Sequence, residues 1–142
     1  MTDSATSGDV PIEIAMDDTT RPFWEAARER RLTIPKCGDC GRFRMPPSPF
    51  CPHCQSMEVE FPTLSGRGIV YSFSIVHPHP KAASQELQAI GLVELPDAQG
   101  ARLFTRFVDV RTEDLHIGMP VEVRWKEVGN RWCVPHFAPA AG

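Results

Sequence analysis

A mainly β fold is what this sequence predicts: a short helix near the start, then a small cysteine-held module, then a five-stranded barrel. Three observations carry that expectation. Two Cys-x-x-Cys pairs stand with ten residues between them, prolines crowd around them without apolar periodicity, and five alternating segments follow residue 65. A length of 142 residues gives room for one ordinary domain, or for a stapled module plus a compact barrel, and not for a large two-domain enzyme.

Residues 1–18 carry Asp3, Asp9, Glu13, Asp17 and Asp18 with no Lys, Arg or aromatic residue, and they read as a disordered acidic tail. An N-terminal helix is expected over 19–33. Thr19 and Thr20 are candidate caps, Pro22 suits the first turn, and Glu25 favours the positive end of the helix dipole. Phe23, Trp24 and Ala27 give this helix an apolar side that continues to about Arg31.

The stretch 34–62 contains Pro35, Pro46, Pro47, Pro49, Pro52 and Pro62 and cannot build a core of its own, so something other than burial must hold it. From 63 to 140 the pattern turns to strands. Ile69, Tyr71, Phe73 and Ile75 alternate with Val70, Ser72, Ser74 and Val76, and further strands are expected over Ala89–Leu95, Arg102–Val110, Met119–Val128 and Arg131–Phe137. Pro96-Asp97-Ala98-Gln99-Gly100 and Gly129-Asn130 read as hairpin turns, and a turn near Thr112–Leu115 separates the third strand from the fourth. Five short strands with a break after the third fit a Greek-key barrel of the OB type; a five-stranded SH3-like barrel is the competing topology.

Composition bounds the function. Hydrophobic residues make up 42% and charged residues 23%, as in a soluble globular protein, and no apolar run reaches the roughly 18–20 residues of a membrane span. The opening Met-Thr-Asp-Ser-Ala-Thr lacks the basic start and apolar core of a signal peptide, so a cytoplasmic, reducing location is expected. Setting aside the five acids of the tail leaves 15 basic residues against 13 acidic ones, a nearly neutral folded part that argues against a dedicated nucleic-acid binder. Twelve of the 15 basic residues are Arg, and those between Arg28 and Arg44 read first as a solvated helix face and loop.

The chemistry lies in Cys37-Gly-Asp-Cys40 and Cys51-Pro-His-Cys54. Each pair sets two thiolates on a tight turn, and two facing turns make the four-sulfur tetrahedral cage that Zn2+ prefers. Gly41 suits the backbone of such a knuckle. Iron takes the same donors. A closed cage leaves no position for water or substrate, so the ion it holds is structural. His53 is a solvent-facing loop residue in this reading, and Cys133 a small buried apolar one. His77 and His79, in His77-Pro78-His79-Pro80, follow the first barrel strand as ordinary loop residues. There is no nucleophile elbow, phosphate-cradling loop or helical His-Glu-x-x-His, so no residue set supports a stand-alone active site.

Several stretches resemble a known family. Pro22-Phe23-Trp24-Glu25-Ala26-Ala27, the doubled cysteine pairs with Pro46-Pro47 between them, Ser65-Gly66-Arg67-Gly68 leading into Val70-Tyr71-Ser72-Phe73, Ile117-Gly118-Met119-Pro120-Val121 and Phe137-Ala138-Pro139-Ala140 are similar, in that order, to the acyl-CoA-associated zinc-ribbon/OB-fold proteins. The resemblance spans about residues 20–140. It implies a rubredoxin-like zinc ribbon over 34–62 and an OB-fold domain over 63–140. It also implies a non-catalytic scaffold subunit that holds a CoA thioester for a thiolase-like, MaoC-type hydratase or aldolase partner in acyl-CoA (lipid, steroid or aromatic) metabolism. The family often has a basic residue after its paired prolines, where this chain has Ser48 and Pro49. If that residue contacts a nucleotide phosphate, this chain must use Arg42 or Arg44 instead, or bind CoA only together with its partner; Tyr71, Phe73, His77 and His79 are the candidates for the acyl or pantetheine channel. The alternative is a nucleic-acid-binding module, since zinc ribbons and OB folds both serve that purpose; against it, Tyr71, Phe73, Phe107 and Trp125 alternate as core residues do.

Overall fold

The computed structural model describes residues 14–129 and 131–140. The predicted tail lies outside the described residues as far as position 13, as does Asn130 of the Gly129-Asn130 turn. Helix α1 runs Arg21–Arg28 and buries Phe23, Ala26 and Ala27. Its start is organised one turn earlier than expected. Asp17 Oδ1 accepts hydrogen bonds from the N–H groups of Thr19 and Thr20, both 2.9 Å, and Thr20 makes no side-chain cap on the helix; its hydroxyl instead accepts from Asp17 N–H. Those contacts, that of Thr20 N–H first, hold the Asp17 carboxyl below its usual range. Glu25 falls beyond the first turn. The helix ends before Arg31 because Arg30 turns left-handed, φ 59°, with Arg30 N–H donating to Ala27 and Arg31 N–H to Ala26, a Schellman closure.

Beyond this cap, Leu32 C=O accepts from Leu64 N–H at 2.8 Å, and Thr33 bridges Thr63. Between those points lies the cysteine module, with β1 (Lys36–Cys37) paired antiparallel to β2 (Val59–Glu60). The rest is a closed barrel of β3 (Arg67–Val76), β4 (Gln88–Glu94), β5 (Arg102–Phe107), β6 (Pro120–Val128) and β7 (Trp132–Pro139). The strand order is β3-β4-β5-β7-β6, with β6 closing onto β3. Counted from the first barrel strand this is 1-2-3-5-4, the OB arrangement. The core gathers Val70, Val93, Leu103, Phe107, Val121 and Phe137 with Phe23 of α1. Residues 96–98 form one turn of 3-10 helix, and β5 stops at Phe107, short of the expected Val110, where Asp109 turns to φ 55°.

Two departures from simple alternation shape the surface. Between Val70 and Ser72 the β3–β4 register shifts: Val70 pairs Val93 and Ser72 pairs Leu92, leaving Tyr71 as an extra residue. Val70 is buried, so Tyr71 points out and is 42% exposed, while Phe73 and Ile75 return to the inside and pack on the core. The expectation that Tyr71 is a core residue is therefore wrong, and the bulge is the reason. The second departure is the seam between β5 and β7, parallel strands paired at one point, Phe107 with Phe137. Phe137 C=O accepts from Val108 N–H, so the same face of Pro135, two residues earlier, also looks toward β5. The missing N–H of Pro135 thus falls on the seam and leaves the β6–β7 ladder whole. Its carbonyl takes its hydrogen bond from the buried Thr105 hydroxyl at 2.9 Å. Thr105→Val, which keeps the shape and removes that donor, is expected to cost about 1–3 kcal/mol in urea unfolding. A loss no greater than that of an exposed Thr→Val control would show that the seam does not depend on this bond.

Candidate functional site

The two cysteine pairs fold as near copies. Gly41 N–H donates to Cys37 C=O at 3.1 Å and Gln55 N–H to Cys51 C=O at 2.9 Å; Cys37 N–H donates to Arg42 C=O and Cys51 N–H to Ser56 C=O. Each turn closes on a left-handed residue, Gly41 at φ 78° and Gln55 at φ 67°. Only the first has the glycine that this backbone favours. Asp39 and Cys40 N–H groups reach the Cys37 sulfur, and His53 N–H the Cys51 sulfur, each at 3.4 Å.

All four sulfurs lie within 4.8 Å of one another, with Cys37–Cys54 at 3.6 Å and Cys40–Cys51 at 3.5 Å. A tetrahedron with zinc–sulfur bonds of about 2.3 Å has edges of about 3.8 Å, so the donors fit that ion. The electrostatics agree. Cys37 is pulled down to about 6, first by the Cys40 N–H, against its burial. The Ser56 N–H lowers Cys54, but burial and its sulfur neighbours outweigh it and push the thiol up to about 12. A dication is what lets four thiolates share this volume.

The predicted acyl-CoA residues are not brought to one place. Arg42 is exposed, its Nη1 2.8 Å from His53 Nδ1. Arg44 is 5% exposed, and its Nε and Nη1 make no hydrogen bond among the described residues. The reading of the Arg stretch as a solvated surface fails at this residue. Elsewhere in the stretch, Arg28 stacks on Trp132 at 4.6 Å and Arg30 meets Glu127 at 3.1 Å. Tyr71 lies under the Arg102 guanidinium at 3.8 Å on the outer barrel face, whereas Phe73 faces inward. His77 and His79 sit exposed in the loop after β3, where His79 Nδ1 accepts from Lys81 N–H.

A cavity of 350 Å³ lies elsewhere, between α1, the segment after the first cysteine pair, and strands β4, β5 and β7. Trp24, Met45, Ile90, Phe104 and Val134 line it, with Arg106 and His136 among its polar groups. None of the six predicted acyl-CoA residues contributes to it. Sequence reasoning missed this feature. Its one available signal was Phe104, set outward on β5 between Arg102 and Arg106.

Two family models match: residues 24–60 as the rubredoxin-like zinc ribbon domain of ChsH2, and 62–126 as the C-terminal OB-fold domain of ChsH2. A DUF35 domain-containing scaffold protein of Methanocaldococcus jannaschii is 36% identical over 74% of this chain and 75% of its own length. The chain belongs to the DUF35 family. Two further relatives are longer than this chain. A probable enoyl-CoA hydratase alpha subunit of Thermomonospora curvata is 40% identical over 83% of this chain, which spans 37% of that protein. The 3-oxo-4,17-pregnadiene-20-carboxyl-CoA hydratase alpha subunit of Mycobacterium tuberculosis is 30% identical over 92% of this chain and 43% of its own length. A solved structure described as an Ltp2-ChsH2(DUF35) aldolase superposes with a TM-score of 0.81 at 36% identity, covering 91% of this chain and all of that one. No helix among the described residues is long and apolar enough to cross a membrane.

Proposed function

We propose that this DUF35 chain is a non-catalytic scaffold subunit that holds a CoA thioester beside a hydratase- or aldolase-type partner, a thiolase-like enzyme being the third candidate. The relatives support the scaffold half of the reading: archaeal members are scaffold proteins, and others stand within hydratase alpha subunits or an aldolase structure. The observation that carries the ligand half is Arg44. A buried guanidinium with no salt bridge among the described residues is costly, and a phosphate is the partner its planar fork suits. In this reading zinc shapes the ribbon that presents Arg44, and Arg42 stands near the same phosphate end. Tyr71, His77 and His79, on the outer face and loop, would meet the partner or the pantetheine arm, while Phe73 supports the wall behind them.

Arg44→Met separates stability from binding. Removing the unpaired charge is expected to stabilise the free chain by about 1–4 kcal/mol, while CoA affinity, measured by calorimetry with and without the partner enzyme, falls at least about tenfold. Unchanged CoA affinity in both settings counts against the reading.

A second reading has one observation in its favour. Tyr71 and the 66%-exposed Phe104 stand on the outer barrel face with Arg102 and Arg106 nearby in sequence, and single-strand binders stack bases on such aromatics. Arg102 is already engaged with Glu94 at 3.6 Å and with Tyr71. Salt-dependent binding of a single-stranded oligonucleotide would favour this reading over the CoA one.

A further inference from the structure

We infer that the cavity between α1, the ribbon and the β5–β7 seam is a binding site for an apolar carboxylic acid, its chain among Trp24, Met45 and Val134 and its carboxylate at Arg106 and His136. The site does not depend on the CoA reading, since it shares no residue with the groups assigned there.

Volume and lining set the body of the ligand. At 350 Å³ the cavity lies at the lower end of small-molecule sites, and aliphatic and aromatic side chains dominate its wall. Phe104 belongs to that wall yet is 66% exposed, so its ring has one face on the cavity side and little covering it from solvent. Three elements converge here because the seam is narrow. β5 and β7 meet at one residue pair, and α1 lies on β7 and supplies Phe23 and Trp24, whose rings meet edge to face at 5.0 Å. Met45 and Pro47 close the ribbon side.

Charge sets the polar end. Arg106 makes no salt bridge among the described residues, and neither does Lys126. His136, half-buried on β7, is held below its ordinary value first by burial and then by the charges of Arg106 and Lys126. Its cross-strand neighbour Arg124 is neutralised by Glu122 at 3.0 Å. Among the described residues that line the cavity there is no acid, so its mouth carries positive charge. Arg106 presents a fork to a carboxylate, and the same anion would favour the charged form of His136. Thr105, also on the lining, has its hydroxyl committed to Pro135 and adds no free donor.

Octanoate, octanol and acetate test the assignment by calorimetry on the full chain with zinc bound, with the His136 ring titration followed by NMR. Expected are saturable one-to-one binding of octanoate, at least about tenfold weaker binding of octanol, and none of acetate. The His136 titration should move upward with octanoate. Arg106→Gln should remove the preference for octanoate over octanol and leave CoA affinity unchanged. Val134→Trp should abolish binding of both, and because that variant risks misfolding, the result at the half-buried Arg106, Arg106→Gln, decides alone if it does. Equal binding of octanol and octanoate, no binding of octanoate, or an Arg106→Gln variant with unchanged preference each overturns the site. Loss of CoA binding with intact octanoate binding would refute the scaffold-ligand reading and leave this one standing.

Discussion

Replacing Cys51 with Ser is expected to take bound zinc from about one ion per chain to none and to unfold residues of the ribbon while most of the barrel's β signal survives. Cys51 is 1% exposed and shares the cage with Cys37, also 1% exposed. Apart from these two cysteines and Arg44, the ribbon between Lys36 and Glu60 has little buried side chain, and the exposed Phe50, Met57 and Val59 show how little apolar burial it achieves. Structural zinc contributes roughly 10–16 kcal/mol in isolated zinc-finger peptides, far more than a module of this size gains from packing. The barrel has its own core of Val70, Val93, Val121 and Phe137 and does not need the ion to form. Metal analysis by mass spectrometry together with amide proton spectra checks both halves. A metal-free variant whose ribbon resonances stay dispersed would sink the idea.

The second large effect is expected at Gly91. A β-carbon there would collide with the Ser72 carbonyl oxygen and stand 2.6 Å from Phe73 Cα, and both obstacles are backbone. They belong to the stretch where β3 bulges at Tyr71 and pairs with β4 itself, so relief requires pulling β3 away from the strand that carries Gly91. Gly91→Ala is expected to cost about 3 kcal/mol, the upper end for overpacking, and to lower Tm by roughly 10 °C. Gly100→Ala is the comparison. There a β-carbon meets nothing within 4 Å and only the positive φ of 87° resists it, so the loss should be near 1 kcal/mol. Equal losses at the two positions would mean that the close approach at the bulge relaxes freely.

What the sequence revealed follows from the range of each interaction. The cysteine cage was legible because its spacing is local chemistry, and the barrel strands because alternation is written residue by residue along each one. The bulge at Tyr71 was not, since it depends on Gly91, a residue of the neighbouring strand that offers no side chain to obstruct it. Asp17 was read as part of the acidic tail because an acid in a charged run resembles solvated sequence until its contacts with Thr19 and Thr20 are seen. Arg44 was selected for its charge, but its burial comes from the folding of the ribbon around it. The cavity was hidden for the same reason: Trp24, Met45, Ile90, Phe104 and Val134 come from five separate segments, and only the packing of α1 over β7 brings them together.

The bridge between Thr33 and Thr63, with Leu32 and Leu64 bonded beside it, means that the chain leaves α1 for the ribbon and comes back toward the barrel at one place. Leu32 and Ile34 at this stem belong to the same apolar cluster as the barrel. Everything beyond the stem is therefore a detachable head in topological terms: its internal path can lengthen, shorten or change shape without altering the route of any barrel strand. Each doubling of such an excursion adds only about 0.6 kcal/mol of closure entropy. Changes in the length of that head therefore leave the strand order of the barrel intact, provided that Phe43 and Met45 keep their packing on its core.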